Sequence, residues 1–214
     1  HVTTRETIAE IEKAKAEGLT VYSEIGTHYL VLHKDAWKIN VPLRDRATHE
    51  TLWQALASGA IDCIGSDHVA HTRTRESMET GNVWTTISGF PSRIEGMLPM
   101  MLSEGVNKGR ITIERLAQVA SENPARIFGL YPKKGAILPG ADADVVVVDL
   151  KRRAKITRDL LHTITPWSIY EGWEVTGWPV MTLVRGNVVM EWPENEPRAK
   201  VTDASVGQYL KRNV

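Results

Sequence analysis

Only one cysteine, Cys63, stands in the 214 residues. That excludes an internal disulfide framework and a thiolate knuckle, so any metal site must be built from His and carboxylates. Charge of one sign is also lacking: 26 Lys and Arg balance 26 Asp and Glu. No net field draws the chain to nucleic acid or to an anionic membrane, and neither is expected as a partner. Long apolar runs are missing. Residues 145–148, four valines in a row, fall far short of a bilayer span, and no charged start followed by an apolar stretch marks a secretion signal. No internal repeat and no low-complexity tract is present. What is there is a 42% hydrophobic composition, enough for a sizeable core in one domain or one domain plus a small appendage. A soluble cytoplasmic protein is expected. The first residue is His1 rather than Met, and it runs straight into a helical pattern, as if a strand had been cut just before its end. The chain is therefore expected to be part of a longer one.

Thr3 with Glu6 has capping-box spacing, Ile8 and Ile11 recur at helical period, and Gly18 stands where a C-cap belongs, which predicts a helix over residues 4–17. A strand is expected at 19–23, ending in turn-prone residues 24–28. A second helix is predicted from about 48 to 57, with Leu52 and Leu56 on one face and Gly59 closing it, followed by a buried strand at 61–64. This alternation indicates parallel β/α packing. Residues 71–90 read as a long functional loop. Helices follow at about 93–103, 112–121 and 124–128, the last with Asn123 as cap and Pro124 in its first turn. From Gly135 the texture changes. Residues 145–148 have the composition of a fully buried strand, and 180–184 with 187–190 flank Arg185-Gly186 as a hairpin. The fold class expected is α/β, with a β/α unit over residues 1–134 and a small β unit with a polar C-terminal tail over 135–214.

His1 ends a presumed strand, His28 follows the second strand, and Asp67 follows the third in Gly65-Ser66-Asp67-His68. Strand C-termini converge on one face of a β/α barrel, where the catalytic residues of that fold lie. Imidazole nitrogen and carboxylate oxygen suit zinc or manganese, and the combination points to metal-assisted hydrolysis. Taken singly, a His near a strand end is more often a hydrogen-bonded structural residue.

The motifs go further. His1-Val2-Thr3-Thr4, Thr27-His28-Tyr29-Leu30, Asn40-Val41-Pro42-Leu43-Arg44, the run from Ile61 to His68, and Asn123-Pro124-Ala125-Arg126-Ile127-Phe128-Gly129-Leu130 occur in the order seen in cyclic amidohydrolases. Lys134-Gly135-Ala136-Ile137, Gly140-Ala141-Asp142-Ala143-Asp144 and Thr182-Leu183-Val184-Arg185-Gly186 continue the match. The chain resembles roughly the C-terminal half of the dihydroorotase, hydantoinase (dihydropyrimidinase) and allantoinase group of the amidohydrolase superfamily. The resemblance implies a partial (β/α)8 TIM-type barrel, its C-terminal half, followed by part of a small β-sandwich.

It also implies a site. His1 and His28 bind one of two divalent ions, zinc or else manganese, and Asp67 binds the other. A metal-bridged hydroxide attacks the scissile amide, while Asp67 serves as general base and then general acid. Asn40 and Gly89 lie where relatives contact the substrate ring. His71 resembles the second His of the dihydroorotase pattern Asp-His-Ala-Pro-His, which helps bind the substrate carboxylate; here Ala70 replaces the Pro. Substrates implied are dihydroorotate, hydantoins or dihydropyrimidines, and allantoin. A homo-oligomer, dimer or tetramer, is implied for the full-length enzyme. The family's His-x-His pair and carboxylated Lys are not in these residues, so an inactive fragment or a non-catalytic dihydropyrimidinase-like scaffold stands as the alternative. His68 is read as a residue that supports the metal Asp or packs, Cys63 as a small hydrophobe, and Arg44 as a partner for Asp45 or Glu50 ahead of a carboxylate near the site.

Overall fold

The computed structural model describes residues 1–86, 88–91, 93–202 and 205–212. Helix α1 spans Arg5–Ala16, one residue inside the predicted limits at each end. Its cap differs from expectation. Thr4, not Thr3, holds the extended N-cap conformation and accepts from the Thr7 amide at 3.2 Å. Thr3 is buried and accepts from Arg44 Nε at 3.2 Å, which also replaces the expected Arg44 pairing with Asp45 or Glu50.

Strand β1 is Glu24–Gly26, not residues 19–23. The reason is local. Asp62 Oδ2 accepts from the Ser23 amide and hydroxyl, while the Ser23 carbonyl accepts from both the Asp62 and Cys63 amides, so side-chain bonds replace the ladder there. Lys15 Nζ closes this knot at 2.9 Å from Asp62. β2, Cys63–Gly65, pairs parallel with β1 in the register Glu24 with Cys63, Ile25 with Ile64 and Gly26 with Gly65. Ile25 and Ile64 are buried on one side of this pair. Glu24, Cys63 and the two glycines therefore share the other side.

Helix α2 is a short turn, Thr27–Val31, starting directly where β1 ends. α3, Ala47–Ser58, follows the predicted pattern: Leu52 and Leu56 are fully buried, and Gly59 ends it in the left-handed region at φ 97°. α4, Arg75–Met78, is a single turn inside the expected long loop. α5, Arg93–Met100, carries Pro99, which cannot donate to the carbonyl one turn back, and the chain passes into a π-helical turn at Met101–Val106. α6, Ile113–Ala117, likewise runs into a π-helical turn at Gln118–Glu122 before α7, Asn123–Ile127. Asn123 lies inside that last helix rather than capping it; its side-chain amide donates to the Asp62 carbonyl at 2.7 Å.

The remaining strands form one antiparallel sheet in the order β3 (Val145–Lys155), β4 (Glu174–Val184), β5 (Asn187–Glu191) and β6 (Lys200–Val201). The predicted hairpin is present, with Val184 opposite Asn187. The expected burial of residues 145–148 is not. β3 is an edge strand with a partner on one side, and Val146 and Val147 are exposed. A continuous core links the two parts: the Ser103 hydroxyl accepts from the Thr176 amide, and Leu102, Val175 and Trp178 are all buried. Trp178 packs edge-on against Trp192 at 5.4 Å. No helix among the described residues is long and apolar enough to cross a membrane.

Candidate metal and substrate site

Three short pieces of chain end side by side. The Val2 amide donates to the Glu24 carbonyl at 2.9 Å, so residues 1 and 2 run beside β1 as β1 runs beside β2. His1 precedes α1, His28 lies in the first turn after β1, and Asp67 stands two residues past β2 with φ 45°. At this edge the His1 side chain lies beside both of the others. His1 Nε2 is 3.6 Å from Asp67 Oδ2, and the His1 and His28 rings are 6.5 Å apart at near right angles.

Each imidazole is prepared differently. His1 Nδ1 lies 2.5 Å from Glu24 Oε2, a contact that orients the ring with Nε2 toward Asp67. Burial raises the Glu24 carboxyl above the ordinary carboxylate value, and its Oε1 has no partner among the described residues. His28 is buried against Tyr29 and Phe90, with ring centroids 4.1 and 5.5 Å away. Burial, and then the neighbouring Arg93 charge, push its pKa down to about 3, so the ring is neutral at physiological pH.

Gly26 and Gly65, opposite each other in the register, make this packing possible. A Cβ on Gly26 would collide with the His28 ring, and one on Gly65 with the Glu24 carboxylate. A side chain at position 26 would displace the buried His28 ring, and one at position 65 would push the Glu24 carboxylate aside.

The sequence reading missed Arg93. It is the first residue of α5 and only 2% exposed. Its Nη1 donates to Asp67 Oδ2 at 2.7 Å and lies 3.4 Å from His28 Nε2, while its Nε donates to the Phe90 carbonyl at 3.1 Å. The guanidinium stands 4.6 Å from the centre of the Phe90 ring. Its backbone amide donates to His68 Nδ1 at 3.2 Å. A usable signal was in the sequence: a lone cation at the start of an apolar helix, just after the loop that follows Asp67. Among the described residues, no three His, Cys, Asp or Glu side chains are close enough together to hold a metal ion as they stand.

The other expected positions fall in two places. Asn40 and Gly89 lie on facing segments laced together by backbone and side chain. The Asn40 amide donates to Ser88 Oγ at 2.8 Å, and Trp37 Nε1 donates to the Gly89 carbonyl at 3.0 Å. Gly89, at φ 88°, leads into Phe90 and so borders the His28 pocket. His71 sits farther along the loop. Its Nδ1 accepts from the Arg73 amide, its carbonyl accepts from Thr165 Oγ1 at 2.6 Å, and its ring faces Trp167.

Residues 3–189 match the sequence pattern described as the amidohydrolase family. An L-hydantoinase of Paenarthrobacter aurescens is 36% identical across 99% of this chain and 46% of its own length. A dihydroorotase of Bacillus cytotoxicus is 35% identical across 89% of this chain and 45% of its own length. Among solved structures, the L-hydantoinase (dihydropyrimidinase) from Arthrobacter aurescens superimposes with a TM-score of 0.82 at 37% identity, covering 88% of this chain and 43% of that one. The chain thus spans about half the length of the curated relatives it matches. On a sequence match that takes in most of its residues, the chain belongs to the amidohydrolase family.

Proposed function

We propose that the chain is the C-terminal half of a cyclic amidohydrolase, which opens a ring amide at a carbon–nitrogen bond other than a peptide bond. The observation that carries this reading is that His28 and Asp67 follow the C-terminal ends of the parallel strands β1 and β2, with His1 beside them. In this reading residues 1–134 complete a (β/α)8 barrel begun upstream, and residues 135–214 belong to a small β-sandwich. Exposed Val146, Val147, Ile137 and Leu138 are apolar surface that further polypeptide would cover.

The donor set suits a divalent ion such as zinc or manganese. One imidazole is neutral by burial, the other has Nδ1 tied to a carboxylate, and the buried Glu24 Oε1 is still free to accept. His1, His28 and Asp67 would hold the pair, together with upstream ligands. When bound, such ions polarise the scissile carbonyl and lower the pKa of water. Asp67 then takes a proton at its carboxylate during attack and returns it to the departing ring nitrogen. Its side chain is 31% exposed, so both substrate and water reach it.

Asn40 and Gly89 are assigned to the ring amide through their carbonyls, since both of their amides already donate within the protein. His71, whose buried Nε2 has no partner among the described residues, is assigned to a substrate carboxylate. Relatives named hydantoinase, dihydropyrimidinase and dihydroorotase support hydantoins, dihydropyrimidines and dihydroorotate as candidate substrates, and the motif resemblance adds allantoin. The full-length enzyme is read as a cytoplasmic dimer or tetramer without nucleic-acid or membrane partners.

A panel of these cyclic amides, assayed with the full-length polypeptide that carries this chain, tests the proposal. Ring opening that disappears on chelation and returns with zinc or manganese is expected. Absence of turnover on every member would overturn it. One observation favours a second reading, a non-catalytic scaffold: the Arg93 guanidinium already neutralises Asp67.

A further inference from the structure

Among the described residues, Arg93 is the one strongly buried cation in contact with two of the three proposed ligands. A guanidinium pays a large desolvation cost when it leaves water, and that cost is offset only where a carboxylate and hydrogen-bond acceptors receive it. Asp67 supplies the carboxylate at 2.7 Å and the Phe90 carbonyl a neutral acceptor at 3.1 Å. Nη2 is buried and has no partner among the described residues. The cation is therefore held chiefly by Asp67.

Its position matters as much as its charge. Nη1 stands 3.4 Å from His28 Nε2, against the nitrogen that would otherwise ligate. An ion at a normal bond length of about 2 Å from Nε2 along that contact would overlap Nη1.

We propose that Arg93 is an internal counter-cation of the site, which must be displaced from Asp67 and His28 before a divalent ion can take either of them as a ligand. The inference rests on the metal-centre reading above and deepens it. Release is sterically simple at one end: Asp67 is partly exposed and already lies 3.6 Å from His1 Nε2, so its carboxylate has a second group to face once Arg93 withdraws. Arg93 keeps its Phe90 contacts on the other side. The consequence is a threshold. The site stays closed at low metal and opens only when the ion outcompetes an intramolecular cation, an equilibrium that a ligand shifts only through its preference for the open state.

The test is zinc affinity, read by competition with a chromogenic chelator, in the full-length polypeptide and its Arg93→Met variant. Methionine keeps the apolar stem and removes the charge. Zinc binding at least about tenfold tighter in Arg93→Met is expected, because displacement then costs nothing. Equal or weaker binding in the variant would overturn the inference while leaving the metal centre standing. No zinc bound by either form would overturn the metal centre and the inference with it. Should Arg93→Met fail to fold, the unsubstituted protein supplies a second readout. The 15N-labelled guanidinium of Arg93 is expected to shift or broaden as zinc is titrated in, and a resonance unmoved at saturation would overturn the inference.

Discussion

His28 shows how one side chain carries both packing and chemistry. Its ring is enclosed by Tyr29, Phe90 and Arg93, and burial followed by the Arg93 charge holds its pKa near about 3, against an ordinary value of about 6.5. Between those two values the unfolded chain binds more protons than the folded one, so stability falls as pH is lowered through that window. In metal-free protein, urea midpoints at pH 7.5 and 4.5 should differ by the equivalent of about 2 kcal/mol more than in a His28→Gln variant. An identical pH response in the two would show that His28 is not held neutral. Cys63 gives a second test at this scale. Burial, with the Glu24 and Asp62 charges behind it, pushes its thiol up to about 11. It should react slowly with a disulfide reagent at pH 8 and rapidly once urea unfolds the chain; fast reaction in the folded state would contradict the position of β2.

At the scale of elements, the parallel pair β1 and β2 is only three residues long on each strand, and its two facing glycines set the site. Gly26→Ala should force the His28 ring out of its pocket and cost about 1–3 kcal/mol of stability, measured by urea denaturation, with weakened metal retention. A neutral outcome would mean that the ring has room elsewhere. Helix α3 anchors the same edge from behind, and Leu52→Ala, at a fully buried position, should cost about 2–5 kcal/mol in the same measurement.

These elements also show what sequence could disclose. α3 was legible because its apolar period, Leu52 and Leu56, and its terminating Gly59 all agree. The shift of β1 to Glu24 was not, because it depends on the Asp62 carboxylate, remote in sequence, taking the Ser23 amide. The exposed valines of β3 read as buried because composition reports β preference and says nothing of which neighbour is present. For the site, motif order and strand-end placement pointed to His1, His28 and Asp67. Glu24 escaped because nothing local marks it as buried against a remote partner, and Arg93 because its one local signal, a cation opening an apolar helix, does not disclose Asp67 as the partner.

On the scale of the whole molecule, three backbone segments are brought to a common edge by the β1 and β2 pairing, and the core that supports them runs on into the antiparallel sheet. The relatives matched are about twice as long. On the proposed function, the edge is one side of a larger centre whose remaining ligands lie upstream. The central claim is that His1, His28 and Asp67 together hold divalent metal. Metal-to-protein ratio by mass spectrometry, in the full-length polypeptide and in His28→Ala and Asp67→Asn variants confirmed as folded by circular dichroism, tests this most directly. The account predicts close to two ions per chain in the unsubstituted protein and a clear loss in each variant. Metal content that is near zero throughout, or unchanged by both substitutions, would contradict it.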